Sequence, residues 1–389
     1  MSVRRRLAAA AAALLSACSY MPSMPSVDPS EWFRSTPASA KPAELPPLTN
    51  PQAVRVLWSA SVGSAERYMF SPALAGGEVY AAARDGTVAR LDGTTGQARW
   101  RINSGARLSG GVGSDGQLTV VASDTGEVFA LDAENGSVRW RARVSSEVLA
   151  APKVGDGLAL VRNADNRVFA FGAEDGKRRW VYQRAAPSLT VRSPAGLTLH
   201  QGTAYAGFPG GKLVAIALSN GGVRWEATVA LPKGSTELER VTDVVGEPAA
   251  QGRVVCAAAF QGRVACYDAQ TGSQIWARDM STITGVSFDA RYTYVSDDRG
   301  AVHALDRANG RSIWKQDRLA NRQLSLPLPL EGEIAFGDFQ GQVHFASRES
   351  GAFVARFATD GSAIRAAPVP LAAGVLVQTA NGGLYALAL

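Results

Sequence analysis

A nine-residue phrase that usually ends in tryptophan returns along this chain about every forty residues. The copies read DGTTGQARW, DAENGSVRW, GAEDGKRRW, ALSNGGVRW, DAQTGSQIW, DRANGRSIW and a decayed SRESGAFVA. Their last position falls at Trp100, Trp140, Trp180, Trp225, Trp276, Trp314 and Ala355. A catalytic motif is normally used once. A motif used seven times is scaffold, so function is to be sought where the copies differ.

One copy, TGEVFALDAENGSVRW over residues 125–140, shows what is repeated. VFAL alternates and is β-branched and aromatic enough for a strand. DAENG is turn chemistry, with an Asp that accepts backbone N–H bonds and a Gly that takes positive φ. SVRW starts the returning strand. Upstream, GQLTVVASDTGEVFAL gives two strands joined at DTG, and no stretch has a convincing helical period. Each period therefore holds four short antiparallel strands, the plan of a propeller blade. Seven blades end at the positions named. An eighth begins in RAAPVPLAAGVLVQTANGGLYALAL and stops before its last strand. VRVLWSASVG supplies that strand, with Trp58 forty-two residues before Trp100. The expectation is an all-β, eight-bladed β-propeller whose N-terminal strand closes the last blade and leaves no open edge at the seam. The tryptophan should lie on each blade's outermost strand and pack on the neighbouring blade, beside the turn glycine.

The N-terminus carries a processing signal. MSVRRR is a basic region, and LAAAAAALLSA is apolar but too short to span a bilayer. LSAC, ending at Cys18, resembles a bacterial lipobox. The expectation is a signal peptide over residues 1–17 and acylation of Cys18. Ser19 after it favours the outer membrane. Residues 18–53 are rich in Pro, Ser and Ala and read as a flexible tether; 54–389 is the propeller. The formal charge is +6, but leaving out Arg4, Arg5 and Arg6 takes the basic count from 40 to 37 against 34 acids, or +3. Lys and Arg form no stripe, so a nucleic-acid surface is not expected.

The search for chemistry returns little. Cys256 and Cys266 flank a turn in VVCAAAFQGRVACYD, on strands that should be neighbours. They form either a cross-strand disulfide or two buried thiols. His303 and His344 share one repeat register, and with His200 they give no metal spacing. GVGSDG, Gly111 to Gly116, matches the dinucleotide pattern but precedes a strand, so its glycines serve turns. There is no P-loop, nucleophile elbow or paired acid and base. No metal and no cofactor is expected.

The blades differ most in two connections. From the terminal Trp to the Pro or Gly that marks the next blade, the gap is usually 9 to 14 residues; between Trp225 and Pro248 it is 23. The excess lies in ATVALPKGSTELERVTDVVGE, residues 227–247. The connection one blade earlier, VYQRAAPSLTVRSP over residues 181–194, emerges on the same face. Both mix apolar and charged residues, as a docking patch does, although a long solvated loop has the same composition.

The repeat A-x-D-x-x-T-G-x-x-x-W, as in ACYDAQTGSQIW, resembles that of the quinoprotein alcohol dehydrogenases. That likeness supports the fold; the adjacent cysteines those enzymes use are absent. The lipobox, the tether, eight repeats and GSTELERVTDVVGEP together resemble the BamB family, lipoproteins of the outer-membrane β-barrel assembly (BAM) machinery. The resemblance runs from Cys18 to the C-terminus. It implies a non-catalytic scaffold, lipid-anchored on the periplasmic side of the outer membrane. It also implies a partner, BamA, held through its periplasmic POTRA domains with the rest of the complex, and unfolded barrel proteins as clients. Position by position, Leu189, Val191 and Arg192 would be the first contact set and Asp243 the second. Arg192 and Asp243 would bond the partner or pair with each other. The family tends to carry another acid two residues after Asp243; here that residue is Val245. Two other functions fit a bare propeller: a quinone-dependent periplasmic dehydrogenase, and an envelope-ligand binder using the central channel.

Overall fold

In the computed structural model the described residues are 41–185 and 187–389, so Cys18 and the expected leader lie outside them. From Pro42 onward the chain forms one unit. Its thirty-two strands make eight four-stranded antiparallel sheets. Blades 1 to 7 span residues 73–103, 108–143, 153–183, 197–228, 244–279, 287–316 and 328–358 in order. Blade 8 takes three strands from 369–388, and Arg55–Ser61 adds as its outermost strand, paired with Gly383–Ala388. The chain is therefore an eight-bladed β-propeller closed by its N-terminal strand.

The blades stay together because their middle strands are apolar on both faces. Leu118–Ser123 and Val254–Ala259 are almost wholly buried, and the cores of adjacent blades merge. The outermost strands alternate exposed and buried, as in VRWRAR, where only Trp140 is fully buried. The tryptophan does what its recurrence suggests. Trp58, Trp100, Trp140, Trp180, Trp225, Trp276 and Trp314 each press on a turn glycine of the next blade: Gly96, Gly136, Gly176, Gly221, Gly272, Gly310 and Gly351 in turn. Each indole N–H also donates to a backbone carbonyl of that next blade, as Trp140 Nε1 does to Ala173 O at 2.8 Å. The glycines have positive φ and no room for a Cβ, so one residue type meets both demands.

The eighth junction explains the decayed copy. Blade 8 has no turn between its third and fourth strands, because the C-terminus ends one and a separate N-terminal segment supplies the other. A tryptophan at 355 would have no turn to dock on. Ala355 packs instead with Val54, Leu387 and Leu389.

Three local readings are refined. Blade 5 begins at Val244, not near Pro248; Pro248 lies inside that innermost strand, where the register shifts between Val245 and Ala249. A proline is tolerated there because a bulge and a sheet edge need fewer N–H donors. Within GVGSDG, Gly111 to Ser114 lie in a first strand, and Gly113 stands against the Pro152 carbonyl of the next blade, so close backbone approach explains it. Cys256 and Cys266 face each other across the two middle strands of blade 5 and are disulfide-bonded.

Residues 42–53, part of the stretch expected to be a tether, lie against the ring. Ala43 N donates to Ala320 O, and Gln52 N donates to Val354 O. Arg322 and Arg356 donate to the carbonyls of Ala43 and Pro46, each at 3.0 Å.

Candidate functional site

The connections leaving blades 3 and 4, residues 184–196 and 229–243, meet on one rim of the ring. The second is the long one. Its STELER stretch is folded by a capping box: Glu239 Oε2 accepts the N–H groups of Ser235 and Thr236, while Thr236 Oγ1 accepts that of Glu239. Those backbone donors hold the Glu239 carboxyl below its ordinary range. The box stiffens a turn that presents Leu238 with 71% of its surface exposed, and Leu231 earlier in the same loop is exposed too.

Asp243 joins the two loops. It is only 3% exposed. Oδ2 accepts the Val191 N–H at 2.6 Å and Oδ1 the Gly210 N–H at 3.2 Å. A single β-bridge to Pro209 fixes its backbone. Burial raises its pKa, and the two N–H groups and the charge of Arg162 oppose that rise. The carboxylate is therefore a brace between neighbouring connections.

Arg192 does not pair with Asp243. Its guanidinium reaches back one blade to Glu147, 2.5 Å away, and lies over the Tyr68 ring. The Glu147 bond raises its pKa. Leu189, at the crest of the first loop, is 47% exposed, and Val191 is half-buried beside it. The structure thus brings Leu189, Val191, Arg192 and Asp243 to one rim, three in the first loop and Asp243 beneath it.

Two clefts flank the first loop. One, of about 270 Å³, is walled by Arg162, Asn166, Thr190, Arg192 and Asp243. The other, of about 360 Å³, lies between Leu189 and the long loop at Pro232, Glu237 and Arg240. Sequence reasoning missed Arg162, Glu147 and Leu238. Arg162 is buried, and burial lowers its guanidinium pKa to about 10 against the favourable field of Asp243.

His303 bonds Asp297 at 2.9 Å, and His344 bonds Asp338 at 3.1 Å, in the same register of adjacent blades. Among the described residues no three His, Cys, Asp or Glu side chains converge to hold a metal ion.

Comparison with known proteins agrees with this architecture. The family model described as outer membrane protein assembly factor BamB matches residues 49–106 and 84–316. The outer membrane protein assembly factor BamB of Bordetella pertussis is 46% identical over 353 residues, covering 90% of this chain and 91% of that one. The protein of the same name from Pseudomonas aeruginosa is 43% identical over 348 residues, covering 89% and 92%. Among solved structures, BamB from Moraxella catarrhalis superposes with a TM-score of 0.80 at 25% identity, over 87% of this chain and all of that one. A quinohemoprotein alcohol dehydrogenase from Comamonas testosteroni gives 0.70 at 14% identity over 86% and 76%, a likeness of fold alone. With relatives this similar over nine-tenths of its length and the same closed ring, the chain belongs to the BamB family of outer membrane protein assembly factors.

Proposed function

We propose that this protein is a scaffold of the outer-membrane protein assembly machinery, anchored by an acylated Cys18 on the periplasmic side of the outer membrane. Its role is non-catalytic, and no cofactor enters it. The partner is BamA, gripped through its periplasmic POTRA domains by the loops leaving blades 3 and 4. Leu189 and Leu238 are the apolar anchors, with Val191 beneath them. Arg192, oriented by Glu147, supplies a directional charge at the edge of the patch. Asp243 acts from below, holding the first loop in shape through the Val191 N–H. Pre-ordered loops lower the entropy lost on association. Held in this way, BamA is kept in an arrangement that assists folding and insertion of barrel proteins, and the exposed outer strand edges offer unfolded clients a pairing surface.

The observation that carries this reading is the Asp243–Val191 brace. It ties together the two longest blade-to-blade connections, and both present exposed leucines. Co-purification from detergent-solubilised envelopes is the test. Arg192→Glu is expected to lose BamA while the variant keeps its thermal midpoint. Full recovery of BamA with that variant would remove the site.

A further inference from the structure

The second strand of every blade pairs its last core residue with an apolar residue of the third strand. Following that pairing round the ring gives Ala82, Ala122, Arg162, Gly207, Ala258, Ser296, Gly337 and Gln378. Six of the eight are Ala, Gly or Ser. Arg162 is the charged exception, and it falls in the blade beside the braced loops.

Its surroundings do not satisfy it. Arg162 is 8% exposed. Among the described residues its side chain makes one hydrogen bond, to Gly196 O at 3.4 Å, and no ion pair; it lies over the Phe208 ring at 4.8 Å. A guanidinium has five N–H donors, and a buried charge normally has a partner. Asp243 is near enough to favour the cation, but the two form no ion pair; the Asp243 oxygens accept the N–H groups of Val191 and Gly210 instead. The guanidinium instead forms part of the wall of the 270 Å³ cleft, with Asn166 and Thr190 also lining it. The side chain of Asn166 makes no hydrogen bond among the described residues and is almost fully buried.

We infer that this cleft is a recognition pocket for a carboxylate, an Asp or Glu side chain of the polypeptide that docks on the loops, and that Arg162 is its ligand. This deepens the function proposed above and rests on it. The planar fork of Arg162 meets a carboxylate with two parallel bonds, and the Asn166 amide adds a donor. Phe208 fixes the guanidinium plane from one side. Leu189 and Leu238 give the contact its area, and Arg162 makes it selective for an acidic residue at one place in the partner.

The test uses the full-length chain in detergent, titrated with the purified periplasmic region of BamA from the same bacterium. R162A restores the residue that three other blades carry and is expected to fold with an unchanged or higher melting midpoint. Its affinity is expected to fall about a hundredfold. R162K, which keeps charge without the fork, should fall between the two and serves if R162A does not fold. One Asp or Glu of the BamA region, changed to Gln, should cost the same factor in the wild type and nothing further in R162A. Leu189→Glu separates the two ideas. If it abolishes binding while R162A and R162K bind at full strength, the carboxylate pocket is overturned and the docking rim stands. If Leu189→Glu also binds at full strength, the rim is wrong and the pocket falls with it. Binding of free acetate without any coupled acid on BamA would equally overturn the assignment.

Discussion

The indole of Trp140 lies against Gly176 of the following blade so closely that a Cβ on that glycine would stand 2.6 Å from the ring. Six other Trp–Gly pairs repeat the relationship between successive blades. Trp140→Ala removes a buried indole and its bond to Ala173 O, and should cost about 3–5 kcal/mol. Gly176→Ala should also destabilise, because the added methyl must displace the ring. Urea unfolding of both variants checks this; an unchanged midpoint for Trp140→Ala would contradict the packing role.

The Cys256–Cys266 disulfide closes a short loop, with a sequence separation of 10. Its removal should cost about 2–3 kcal/mol, the entropy of a loop of that size in the unfolded chain. Cys256→Ala with Cys266→Ala is the variant to melt. Alkylation in denaturant followed by intact mass should modify neither cysteine until a reductant is added.

Stability should fall on mild acidification through blade 7. His344 is fully buried, and burial pushes its pKa below 6.5 despite the bond to Asp338. The unfolded chain therefore takes up a proton near 6.5 that the folded chain refuses, and the stability held above that pH is lost as pH drops below it. Burial acts to raise the Asp338 pKa, but the bond and charge of His344, the Gln342 N–H and Arg322 outweigh it and hold it below 3.8. A depressed carboxylate stabilises above its unfolded value and loses that contribution as pH falls through the folded one, so Asp338 acts in the same direction at lower pH. His344→Gln should flatten the melting profile between about pH 7 and pH 5. Because Arg356 bonds both His344 Nδ1 and Pro46 O, exchange of the Gln52 amide should rise over the same range in the wild type.

The ring was legible because its rule is written seven times. The Trp–Gly pairs, the turn aspartates and the closing strand at Trp58 all follow from spacing. Asp243 and Val191 were legible as a pair of loops but not as a bond, because the donor is a backbone N–H and leaves no mark on residue type. Arg162 was visible in principle: aligning the blades by strand register, rather than by the terminal Trp, sets it among Ala, Gly and Ser. The docked stretch 42–53 was hidden by composition. Proline, alanine and serine read as tether, and what holds Ala43 and Pro46 is a pair of arginines from blades far along the chain.

Asp243→Ala leaves the N–H groups of Val191 and Gly210 without their acceptor. The expected cost is about 1–3 kcal/mol locally. Hydrogen exchange at Val191 should accelerate by an order of magnitude or more, while strands of blades 1 and 7 keep their protection. Unchanged exchange at Val191 would show that the loop is held by something else.

The most direct measurement places a photo-crosslinking residue in the living bacterium at position 189, on the braced rim, and at position 138, an exposed site at the opposite end of an outer strand. The account predicts an adduct with BamA from position 189 and none from position 138. Adducts with BamA from position 138 alone, or no adduct from position 189 while the protein is correctly localised, would contradict it.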